Sequence, residues 1–75
     1  MSMHIEWDTA TDCNVSTASA VEANADWSLD AEVVEPFVLM LGGAGGGALA
    51  IEGTRAELVA LAGRILAEVR ALPGA

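Results

Sequence analysis

The chain has no lysine and no tyrosine, one histidine, one cysteine, one phenylalanine and two prolines. Its only cations are Arg55, Arg64 and Arg70. Each shortage excludes something. Cys13 has no second cysteine to pair with, so no disulfide can reinforce the fold from within. Activating its thiol would need nearby positive charge, whereas its neighbours are acidic, so it reads as a small, partly buried hydrophobe. His4 could act as a base or ligand only with converging partners such as Asp8, Asp12 or Cys13, and that spacing matches no zinc pattern. It is read as an ordinary histidine on a strand. With so few nucleophiles, bases and ligands, the sequence argues against an enzyme and implies no catalytic residue, no cofactor and no metal.

The acids do not supply a metal site either. Asp8-x-x-x-Asp12 and Asp26-x-x-x-Asp30 depart from the calcium-loop pattern and lack its terminal bidentate glutamate. The glycine run, residues 42–47, resembles a phosphate loop only superficially. A phosphate loop passes from strand to helix and carries a lysine, whereas this run leads into a strand. Residues 37–51 are uncharged, yet a membrane span needs about 20 apolar residues and this stretch is interrupted by glycines. The N-terminus, Met1-Ser2-Met3-His4-Ile5-Glu6-Trp7-Asp8, has no basic region and no apolar core of the signal-peptide kind. The expectation is a cytoplasmic protein that does not enter a membrane.

What is present is charge of one sign in one half. Glu6, Asp8, Asp12, Glu22, Asp26, Asp30, Glu32 and Glu35 fall in residues 1–35 with no cation among them. From residue 36 onward Glu52, Glu57 and Glu68 balance the three arginines, so the whole net charge of −8 belongs to the first half. Such a surface repels phosphate backbones, which argues against direct nucleic-acid binding, and would attract a basic protein.

Residues 54–72 carry the clearest structural signal. Thr54 and Glu57 form a capping-box pattern. Leu58, Leu61, Ala62, Ile65, Leu66, Val69 and Leu72 recur at helical spacing on one stripe, and Pro73-Gly74 stops the helix. Burying that many large apolar side chains is worth enough that an exposed stripe is not an acceptable end state. Gly63 is costly in mid-helix, which leaves two readings: a tolerated weak spot or a place where another backbone comes close.

Upstream, residues 3–8 alternate as a half-buried strand, residues 9–12 as a turn, and residues 13–21 as a weaker strand. Residues 26–33 place Trp27, Leu29, Ala31 and Val33 on one side and Asp26, Ser28, Asp30 and Glu32 on the other. A helix would align Glu22, Asp26 and Asp30 but scatter Trp27, Leu29 and Val33, so a strand is expected there. After Glu35-Pro36, residues 37–41 (Phe37, Val38, Leu39, Met40, Leu41) are apolar on both faces, as in a central strand. A flexible glycine loop over 42–47 joins it to a last strand, residues 48–52.

The run Phe37-Val38-Leu39-Met40-Leu41-Gly42-Gly43, followed by Ile51-Glu52-Gly53-Thr54-Arg55-Ala56-Glu57-Leu58, resembles small uncharacterised strand-strand-helix proteins of GC-rich bacteria and their phages. The resemblance covers about half of the chain and implies an accessory role, with no activity and no functional residues to carry over.

The expected protein is one α+β domain over residues 1–75. A mostly antiparallel sheet of four or five strands spans residues 2–52, and one C-terminal helix over 54–72 packs across a face. At this size a core is barely sufficient, and one helix cannot cover both faces of an apolar strand, so a homodimer is expected. Phe37, Val38, Leu39, Met40, Leu41 and Gly63 are its candidate contacts. The leading functional expectation is a non-enzymatic protein-interaction module, a regulator or phage-type inhibitor, presenting Glu6, Asp8, Asp26, Asp30 and Glu32 to a basic partner. The alternatives are a structural self-assembling subunit and a nucleic-acid mimic.

Overall fold

The structure, a computed structural model, describes residues 9–27, 29, 31–43 and 47–74. The expected strand over 3–8, with His4, Glu6 and Asp8, lies outside the described residues, as does Asp30. The elements in chain order are β1 (Cys13–Ser19), α1 (Ala20–Asp26), β2 (Phe37–Gly43), β3 (Ala48–Gly53) and α2 (Arg55–Arg70). The strands form one sheet in the order β1-β2-β3 with both pairings antiparallel.

Among the described residues this corrects the expected architecture: the sheet has three strands rather than four or five, and there are two helices rather than one. Among the described residues no strand forms over 26–33: α1 ends at Asp26 and an irregular segment follows it. The helix has a clear local cause. Ser19 and Glu22 form a capping box, in which the Glu22 amide donates to Ser19 Oγ (3.2 Å) and the Ser19 amide donates to Glu22 Oε1 (3.3 Å). The Ala20 amide then donates to the Pro36 carbonyl (3.0 Å), tying the start of α1 to the end of the segment that follows it.

Seven residues make too short a helix to stand alone in water, so α1 depends on what it covers. It lies over Val38, and Ala23, Val33 and Val38 form the core, with Ala18, Ala20, Trp27 and Leu29 packed around them. Trp27, Leu29 and Val33 therefore do turn inward, but without a strand ladder. The Asn24 side chain takes the place of a neighbouring strand. Its Oδ1 accepts from the Val33 amide (2.8 Å) and its Nδ2 donates to the Val33 carbonyl (3.1 Å). Glu52 Oε1 accepts from the next two amides, Val34 (3.4 Å) and Glu35 (3.3 Å).

The register sets Thr17, Leu39 and Ile51 side by side across the sheet. Because successive side chains alternate, Val15, Leu41 and Leu49 share that face, while Ala18, Val38 and Glu52 share the other. The core sits on the second face, under α1. Where β2 turns back, the chain passes too closely for a side chain: a Cβ on Gly42 would sit 2.6 Å from Ala48 Cβ and 3.0 Å from Ala48 Cα.

Candidate interaction surface

α2 begins as its sequence dictates. The Glu57 amide donates to Thr54 Oγ1 (3.1 Å) and the Thr54 amide donates to Glu57 Oε1 (2.8 Å). At the far end Gly74 adopts φ +96°, a conformation that suits glycine. Between these ends the helix departs from expectation, because none of its residues is buried. Leu58 and Leu61 are half-buried, and the helix meets the sheet mainly through β3. Val59, Ile65, Leu66, Val69 and, just beyond the helix, Leu72 retain between 45% and 66% of their exposure. Full burial of such a side chain is worth about 1.5–3 kcal/mol, so leaving five of them roughly half exposed forgoes about 4–8 kcal/mol. The expected buried stripe is thus an open one.

The sheet continues this surface. On the face toward α2, Phe37, Val15 and Leu49 are exposed. Between sheet and helix runs an apolar groove of 350 Å³, lined by Thr17, Phe37 and Leu39 on one side and by Arg55, Leu58, Val59 and Ala62 on the other. Isolated exposed apolar residues are ordinary, but a contiguous set of this extent marks a contact surface.

The residues expected at self-contacts are divided between environments. Phe37, Leu39 and Leu41 belong to the open face. Val38 is wholly buried under α1, and Met40 is half-buried on that same side. Gly63 is exposed, and a Cβ added there would meet nothing within 4 Å, so no backbone of this chain requires a glycine at that point. Gly63→Ala is accordingly expected to stabilise the fold by about 1 kcal/mol, the difference in helix propensity. A raised urea midpoint for unfolding would register the gain, and a lowered one would mean that something outside the chain presses on that position.

Of the acids expected on a strand face, only Asp26 and Glu32 lie among the described residues, and neither is in a strand. Asp26 is the exposed last residue of α1, and Glu32 is exposed in the irregular segment. Three other carboxylates have structural tasks: Glu22 and Glu57 cap helices and Glu52 holds the 34–35 backbone. Sequence reasoning did not anticipate Ser19, Asn24 and Glu52 as fold-determining residues. Ser19-x-x-Glu22 was a legible capping signal; the contacts of Asn24 and Glu52 reach across nine to eighteen residues and had no local pattern. Among the described residues there is no group of three or more His, Cys, Asp or Glu side chains able to hold a metal ion, and no helix is long and apolar enough to cross a membrane. In comparisons with known proteins the chain matches no family model, no curated protein and no solved structure.

Proposed function

We propose that the chain is a non-enzymatic, cytoplasmic protein-interaction module whose working surface is the apolar face of α2 and the adjoining sheet. The observation that carries this reading is a well-capped 16-residue helix with no buried residue. A surface that forgoes several kcal/mol of burial in the isolated chain has that free energy available for association. The scarcity of nucleophiles, bases and ligands supports a binding role over a catalytic one. The test compares wild type with Ile65→Asp for two properties, sedimentation mass and uptake of an apolar fluorescent dye. Wild type is expected to associate or to take up dye, and the variant to do neither while keeping its circular dichroism. A wild-type chain that stays monomeric and takes up no dye would overturn the reading.

A second reading, recognition of a basic partner, is favoured by the absence of any cation before Arg55 together with the exposure of Asp26 and Glu32. Mutual attraction of this kind is screened within about 8 Å at physiological salt. Replacing Asp26 and Glu32 by Asn and Gln is therefore expected to weaken capture of a basic protein several-fold at low salt and to change little at high salt. Equal capture by the variant and wild type at low salt would dismiss this reading.

A further inference from the structure

We infer that residues 31–35 form a strap that lets go of the sheet as one unit while β1, β2 and β3 stay paired, baring part of the core at Val38. The strap lies on the side of the sheet away from α2 and opens whether or not the α2 surface binds anything. Its fastening is unlike that of a strand. A strand is held by a ladder of backbone bonds, whereas the bonds described for this segment run to two side chains. Both backbone polar groups of Val33 meet the Asn24 side chain, and the amides of Val34 and Glu35 share one oxygen of Glu52. The two bonds to Glu52, at 3.4 and 3.3 Å, exceed the separation of about 2.9–3.0 Å usual for an amide donor. Glu52 is exposed, so water competes for its carboxylate, and Glu35 brings a like charge to the same place.

Packing under the strap is thin. Of residues 31–35 only Val33 is buried, and Val34 keeps 80% of its exposure. A hollow of 170 Å³ lies against the segment, lined by Leu29, Ala31, Val33, Val38, Ala50 and Glu52. A segment that buries one side chain beside a hollow has little contact to lose when it opens. Its downstream end has a fixed point. The Ala20 amide donates to the Pro36 carbonyl (3.0 Å) and Ser19 pairs with Phe37, so opening stops at Pro36 and does not run on into β2. Once the strap is open, Val38, shut off from water in the closed chain, joins the already exposed Ala50 on the same face of the sheet. The fold thus carries a second apolar patch that Asn24 and Glu52 together keep shut.

The experiment is native-state amide exchange on the full chain, read residue by residue in urea concentrations below the unfolding transition. In wild type the Val33, Val34 and Glu35 amides are expected to share one opening equilibrium, with a urea slope above zero but well below that of the β2 amides, because the slope reports the surface exposed. Ile51→Val weakens the sheet and leaves the strap's fastenings in place. It is expected to speed exchange in β2 about threefold and to leave the three strap amides unchanged. Glu52→Ala is expected to speed exchange at Val33, which it does not touch, about three- to tenfold along with Val34 and Glu35. A wild-type strap slope equal to that of β2, or strap amides that speed up with β2 in Ile51→Val, would mean that the segment opens only with the whole fold and would overturn the inference. A slope of zero, or a Val33 amide indifferent to Glu52→Ala, would mean that the amides let go singly and would overturn it too.

Discussion

Val38→Asp is expected to leave the chain without any cooperative unfolding transition in urea, followed by far-UV circular dichroism. Among the described residues Val38 is the one large side chain wholly shut off from water, in the middle strand and directly beneath α1. An Asp there is enclosed by the apolar Ala23, Val33 and Ala18 and set beside the Glu52 carboxylate on β3, which repels it, and such burial costs several kcal/mol. For 75 residues the whole stability is of the order of 4–11 kcal/mol. The cost of one charge is therefore comparable to everything holding the fold together. Val38→Ala serves as the control: removing two methyl groups is expected to cost about 2 kcal/mol and to lower the midpoint while leaving the transition cooperative. If Val38→Asp unfolds as wild type does, the core described here does not organise the chain.

Asn24→Ala should have the next largest effect, about 2 kcal/mol, because it removes two hydrogen bonds at once and leaves the amide and carbonyl of buried Val33 without those partners. Asn24→Asp separates the two contributions. It retains an acceptor for the Val33 amide but sets a carboxylate oxygen against the Val33 carbonyl, so its midpoint should fall below that of wild type. The loss should appear first as earlier exchange of the Val33 amide with solvent, since that amide is held by a side chain and not by a strand. Protection of Val33 unchanged in Asn24→Ala would show that the segment is fixed by other contacts.

These two residues also show how far the sequence could be read. The cap and stop of α2, and the hairpin of β2 and β3, follow from short-range chemistry: Thr54 with Glu57, Pro73 with Gly74, and a doubly apolar run bounded by Pro36 and glycines. Residues 26–33 obeyed a period of two for a different reason. Trp27, Leu29 and Val33 do face inward, but the groups that hold this segment in place are the Asn24 side-chain amide on α1 and the Glu52 carboxylate on β3, contacts that no local periodicity encodes. The periodicity of α2 marks an apolar stripe but not what lies against it: none of its residues is buried, and it meets the sheet mainly through β3. The candidate site was thus written in the sequence as a pattern, and its exposure was not, because exposure depends on tertiary contacts that no local pattern encodes.

The middle position of β2 has a bearing on how the chain survives its own synthesis. Phe37, Val38, Leu39, Met40 and Leu41 form an uncharged, strand-prone run of the kind that seeds intermolecular sheets when it is left unpaired. In the finished molecule β1 and β3 occupy both of its edges. On the ribosome β1 emerges ahead of it and β3 after it, so for a time only one edge has a partner. Glu35 and Pro36 stand immediately before the run, where a charge and a residue lacking an amide act as gatekeepers against strand stacking. The eight negative charges already synthesised in residues 1–35 add long-range repulsion between nascent copies. That protection fades towards the isoelectric point near pH 4.1, where aggregation of unfolded chains should be fastest. The acidic half of the sequence thereby acts as a built-in solubility tag for the strand that follows it.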